Sequence, residues 1–172
     1  MPIILSEKLA VATLLRNEGI EVWHRSPPNS PTLRVGLLNL MPDKNRTVTQ
    51  FARLLGVGRH NVELVLALPR SYRSTHEPGP LYERWSETSL PRRLDGLIVT
   101  GAPLEHLAFE NVSYWRELSY ICNWAAINVG STLYICWAAF AALYIFHDVR
   151  KCLRPHKSQA SSSNRSRIHG NL

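Results

Sequence analysis

The sequence predicts an α/β fold in which a parallel β-sheet is flanked by helices. Three observations carry this. Near-continuous apolar runs end in chain breakers: residues 33–40 (LRVGLLNL) stop at Met41-Pro42-Asp43, and residues 95–100 (DGLIVT) stop at Gly101-Ala102-Pro103. Runs of that kind suit strands buried on both faces. Segments of helical period fall between them, and strands alternating with helices point to βαβ units. Finally, 172 residues with 45% apolar content are enough for one domain with its own core.

Taken in order, residues 5–18 (LSEKLAVATLLRNE) read as an amphipathic helix, capped by Ser6 and stopped by Gly19. Residues 20–23 (IEVW) suit a short strand, and 26–31 (SPPNSP) a turn-rich linker. After the 33–40 strand comes a helix at about 45–55, with Val48, Phe51, Leu54 and Leu55 on one face. Residues 61–68 (NVELVLAL) form the next strand. Residues 70–93 are long, polar and aromatic, and read as an excursion or lid. The 95–100 strand leads to a helix over 113–129, with Trp115, Leu118, Ile121, Cys122, Trp124 and Ala125 at helical spacing. Residues 131–136 (STLYIC) form a strand that runs straight into an alanine-rich helix.

Composition excludes several classes. Wholesale disorder, collagen and coiled coil do not fit. The longest charge-free apolar run, residues 133–146 (LYICWAAFAALYIF), is shorter than the roughly twenty residues a membrane span needs, so it reads as buried core. The opening MPIILSEKLA lacks the charged stretch and cleavage site of a signal peptide, so the expected compartment is the cytoplasm. Three cysteines, Cys122, Cys136 and Cys152, argue against a disulfide framework. Net charge is +7, yet residues 150–172 hold six basic side chains and no acid, so the body is nearly neutral. That tail could meet phosphates, but it has no aromatics for base stacking; a solvated, disordered end is expected rather than nucleic-acid contact. HxxxH, CxxC, GxGxxG and GxxxxGK[ST] spacings are absent, so neither a metal nor a nucleotide cofactor is expected.

Cys136 is the most informative residue. It falls where a strand ends and a helix begins, the junction at which a nucleophile is exposed at the carboxyl edge of a sheet. The following backbone N–H groups can hold an oxyanion, and a helix N-terminus favours a thiolate. Ala138 and Ala139 supply small neighbours, while the large Tyr134 fits such an elbow less well. A buried core thiol is the alternative. Cys122, on the apolar face of a helix, reads as structural. No histidine has a spacing that marks it as the base; His106, after the 95–100 strand, could approach the carboxyl edge or be a simple loop residue.

Four stretches together resemble the MetA-type homoserine O-acyltransferases of methionine biosynthesis (the homoserine O-acetyltransferase and O-succinyltransferase family). They are the opening MPI; LLNLMPDK at 37–44; DGLIVTGAPLEHLAFENVSYW at 95–115; and STLYICWAAFAALYIF at 131–146. The likeness spans residues 1–157, expected to be the N-terminal part of the acyltransferase domain, with 158–172 as the basic tail. It implies a flavodoxin-like parallel sheet flanked by helices, like the class I glutamine amidotransferases. It also implies a ping-pong reaction in which Cys136 takes an acyl group from an acyl-CoA co-substrate and L-homoserine accepts it, with no other cofactor. Trp137 would supply an oxyanion-hole N–H, Lys157 and Lys44 would bind substrate, and a homodimer is implied. Each lysine also reads as an ordinary solvated charge. Glutamate at the position of Glu105 goes with acetyl-CoA and glycine with succinyl-CoA, because a carboxylate would crowd and repel a succinyl group; acetyl-CoA is therefore expected.

The chain also departs from the family pattern. Family members are about twice as long, and their catalytic His and Glu have no counterpart in this sequence, so the fold is expected to be incomplete and the activity impaired. Phe140 stands where the family has glutamine, and Asp148 where it has glycine. A chain of this kind could instead act as a non-catalytic fragment that associates with a partner.

Overall fold

The computed structural model describes residues 2–6, 9–26, 28–73, 81–91 and 93–152. Within them the chain order is β1 (Ile3–Ile4), α1 (Ala10–Asn17), β2 (Val22–Trp23), β3 (Thr32–Leu38), α2 (Lys44–Gly56), β4 (Asn61–Pro69), β5 (Glu83–Trp85), β6 (Leu94–Val99), a 3₁₀ turn (Phe109–Asn111), α3 (Trp115–Asn128), β7 (Val129–Tyr134) and α4 (Trp137–His147). The strands make one sheet in the order β2-β1-β4-β3-β6-β7, with β5 also on β4. Every pairing is parallel. Counted from β3, the run β4-β3-β6-β7 is the 2-1-3-4 order of flavodoxin-like sheets. The predicted α/β class and its parallel sheet are therefore what the chain forms.

Each face of the sheet has its own core. On one, Leu37, Leu64, Leu66 and Ile98 meet Val11 and Leu15 of α1 and Val48 and Ala52 of α2. On the other, Leu38, Val65, Ala67 and Val99 meet Leu118, Ile121 and Ala125 of α3 and Trp137, Ala138 and Ala141 of α4. Alternate residues of one strand thus feed opposite cores, which is why β3, β4 and β6 read as unbroken apolar runs. Gly36 is needed in β3 because a β-carbon there would lie 2.8 Å from the Trp85 ring.

The structure corrects several expectations. The first helix begins at Ala10, not Leu5, and Ser6 does not cap it; the N-cap position is Leu9, with no side-chain bond. Leu5 instead extends β1, donating its N–H to Trp23 O at 3.0 Å. Gly19, at φ +79°, ends the helix as expected. Leu54 is exposed; α2 buries Val48 and Ala52 and is capped by Asp43, whose side chain accepts from the Arg46 N–H. Part of the 70–93 excursion is strand β5, held to β4 at Ala67↔Glu83 through Pro69↔Trp85. Nor is the 133–146 run all core: Leu133, Phe140, Leu143 and Phe146 are exposed. Apolar content forecast burial there, but β7 is an edge strand and only one side of α4 meets the sheet.

Candidate active site

Register aligns the carboxyl ends of three strands. Leu38 pairs with Val99, and Val99 with Tyr134. The next residues carry the ladder one step further: Thr100 N–H donates to Leu38 O at 3.1 Å and Ile135 N–H to Val99 O at 3.0 Å. The buried Thr100 hydroxyl accepts from the Leu40 N–H at 2.7 Å, locking the turn after β3 to the turn after β6. In open α/β sheets ligands bind outside these ends, where strand order reverses; here that point is between β3 and β6.

Cys136 stands at this rim as the N-cap of α4, with φ 53° and ψ −119°. A non-glycine residue at such angles is strained, and this turn is the sharp strand-to-helix elbow foreseen. The side chain is exposed, which excludes the core-thiol alternative. Gly101 makes room for it: a β-carbon on residue 101 would fall 3.1 Å from Cys136 Cβ and 3.6 Å from Sγ. Of the amides that open α4, Ala138 N–H donates to Ile135 O at 3.0 Å and Ala139 N–H to Cys136 O at 2.9 Å. The Trp137 N–H has no backbone partner among the described residues. The Trp137 ring is buried against Phe109, at 5.7 Å between centroids, and its indole Nε1 has no hydrogen-bond partner among the described residues.

A cavity of about 470 Å³ opens on Cys136; Ala102, Glu105, Trp137 and Phe140 line it together with Arg150, Lys151 and Cys152. Asp148 marks the turn from α4 into residues 149–152. It caps α4 in the left-handed conformation, at φ 51°, with its N–H on Tyr144 O and the Val149 N–H on Leu143 O. The glycine of the family pattern suits this position, and aspartate is among the residues that tolerate it. Cys122 is different: it is buried under β7, and burial pushes its thiol up to about 12 despite a bond with Tyr134. Tyr134 itself is raised by burial and by Cys122.

The remaining candidates divide. Glu105 is exposed and lines the Cys136 cavity. His106 is exposed too, with Nε2 3.9 Å from Glu105 Oε1, and does not line it. Lys44 is not solvated: its Nζ donates to Tyr72 OH at 2.8 Å and to Met41 O, and lies 4.2 Å from the Tyr72 ring centroid. Burial, with Arg84 nearby, pulls its ammonium down to about 8. It belongs to a buried polar cluster after β3, in which Asn39 Nδ2 donates to Lys44 O and to Tyr82 OH, both at 3.3 Å. Lys44 does not line the Cys136 cavity. Lys157 and the 158–172 tail lie outside the described residues. The sequence placed Lys151 only in the basic stretch and Gly101 only as a chain breaker; the fold sets both at the Cys136 cavity or its rim. Among the described residues no cluster of His, Cys, Asp and Glu could hold a metal, and no helix is long and apolar enough to cross a membrane.

The family model for homoserine O-succinyltransferase matches residues 2–164. The chain belongs to this family. Similar proteins include three named homoserine O-acetyltransferase. That of Rhizorhabdus wittichii is 43% identical over 165 residues, covering 92% of this chain and 52% of that protein. The Chelativorans protein is 41% identical over 158 residues, covering 88% and 50%. That of Brucella canis is 39% identical over 175 residues, covering 98% and 57%. The chain spans about half the length of these curated relatives. The family description and the relatives' names differ in the acyl group, which directs attention to Glu105.

Proposed function

We propose that the chain carries the acyl-accepting half of a homoserine O-acyltransferase of methionine biosynthesis, acting in the cytoplasm, with Cys136 as nucleophile and acetyl-CoA as donor. The carrying observation is an exposed thiol on a strained elbow whose cavity also contains Glu105. In this reading Cys136 sulfur attacks the thioester carbonyl of the acyl-CoA. The carbonyl oxygen becomes an oxyanion held by the Trp137 N–H at the positive end of α4. The intermediate collapses, the CoA sulfur leaves with the proton given up by Cys136, and an acyl-cysteine remains. The hydroxyl of L-homoserine would then attack that ester. Its proton needs a base, worth about 10²–10⁴-fold, and no histidine lines the described cavity; the second transfer is accordingly slow in this chain. Glu105 favours acetyl over succinyl because its carboxylate repels a second one, in line with the names of the relatives.

The test is intact-mass analysis of the purified chain after incubation with acetyl-CoA or succinyl-CoA. The expected result is a gain of one acetyl group, mapped to Cys136, faster than any succinyl gain and absent from Cys136→Ser. No acyl gain, or a gain that survives Cys136→Ser, overturns the proposal.

A further inference from the structure

We propose that Lys151 is the positioning residue that holds Glu105 against the acyl-donor cavity, and so sets which acyl group Cys136 accepts. The inference rests on the acyltransferase reading above and adds a residue to it. Lys151 comes just after α4, where the chain beyond the left-handed turn at Asp148 lines the same cavity as Cys136. Its ammonium donates to three carbonyls of a single loop: Glu105 O at 3.0 Å, Leu104 O at 3.4 Å, and Leu107 O. An ammonium has three N–H donors, and charged donors make the stronger hydrogen bonds. Three carbonyls of one turn pointing at one cation is an arrangement an uncharged side chain cannot reproduce.

The loop is fastened on its other flank as well. Phe109 stacks on Trp115 at 5.0 Å and on Tyr144 at 5.1 Å, and Lys151 Nζ lies 4.8 Å from the Phe109 centroid. Tyr144 OH donates to Glu110. Internal bonds keep the turn short, with Leu104 N–H on Ala102 O at 2.9 Å and Leu107 N–H on Leu104 O at 3.2 Å. Glu105 itself has little to hold it: the side chain is 62% exposed, and the titratable group beside it is His106, 3.9 Å away. The Glu105 carboxylate is therefore placed through its backbone, and Lys151 grips that backbone at the Glu105 carbonyl. Cys136 at one end of α4 and Lys151 beyond the other connect thiol and loop through one rigid helix, about 16 Å long at 1.5 Å per residue.

The experiment compares wild type, Lys151→Met and Lys151→Arg. It measures Cys136 acylation by acetyl-CoA and by succinyl-CoA, alkylation of Cys136 by iodoacetamide, and hydrogen exchange of the amides at 104–108. Lys151→Met is expected to lower the acetyl-to-succinyl rate ratio by about tenfold, as a displaced specificity group does, and to speed exchange at 104–108. Lys151→Arg keeps the charge and restores most of the ratio. Alkylation by the small uncharged reagent stays within about twofold, showing that the elbow is intact. An unchanged ratio in Lys151→Met overturns the positioning role. So does an equal loss with both donors, which marks a simple attraction between the ammonium and the CoA phosphates. If wild type accepts neither acyl group, the acyltransferase reading fails and the donor-selection role falls with it, an outcome distinct from an unchanged ratio in a chain that is acylated.

Discussion

A β-carbon at residue 101 would press on Cys136 from 3.1 Å while touching Ile135 O at 3.4 Å. Neither neighbour can yield easily, because Ile135 is tied to Val99 and Cys136 already occupies a conformation that costs about 1–3 kcal/mol. Gly101→Ala is therefore expected to destabilise the fold by about 1–3 kcal/mol, the usual range for overpacking, and to slow alkylation of Cys136 by about tenfold. Urea unfolding and a mass-spectrometric alkylation time course check the two parts; unchanged alkylation would show that the thiol does not depend on this contact. The same scale explains why Lys44 was ambiguous in sequence. A lysine beside a helix start is ordinarily solvated, and only the tertiary approach of Tyr72, twenty-eight residues on, buries it.

Helix α4 ends on Asp148 in the left-handed conformation, where glycine has no steric penalty and an L-residue pays about 1–2 kcal/mol. Asp148→Gly should raise the unfolding free energy by about 0.5–1 kcal/mol, part of the relief being lost to the greater freedom of glycine in the unfolded chain. Chemical denaturation measures this, and a lower midpoint for Asp148→Gly would contradict the strain argument. Elements differed in how readily sequence disclosed them. Strands β3, β4 and β6 were legible because burial on both faces leaves an apolar run with breakers at its end. Strands β1 and β5 were not, since two or three residues carry no period; pairing with β2 and β4 makes β1 a strand, and pairing with β4 makes β5 one. Cys136 was legible from its strand-helix junction. Lys151 looked like one more charge in a basic stretch, because nothing in the order of residues reveals that the chain turns back over the Glu105 loop.

Two cores on opposite faces give the molecule its stability, but they do not cover it evenly. Toward β7 the sheet ends in an edge strand, and Ile127 and Leu133 are 85% and 54% exposed. Apolar side chains so placed bind apolar surfaces and promote association. The double variant Ile127→Glu/Leu133→Thr is expected to weaken retention on a hydrophobic-interaction resin while the unfolding free energy stays within about 0.5 kcal/mol per substitution; stronger retention, or a large loss of stability, would show these residues to be packed rather than open.

Cys122 lies in the core with 1% of its surface open to solvent. A thiol reagent reaches it only when α3 and β7 part, so the fraction of Cys122 that reacts in a given time counts how often the domain opens. Set against the exposed Cys136, and read apart from the exposed Cys152 by peptide mapping, it makes the protein its own unfolding clock: Cys136 records site access and Cys122 the lifetime of the native state, in a single reaction mixture.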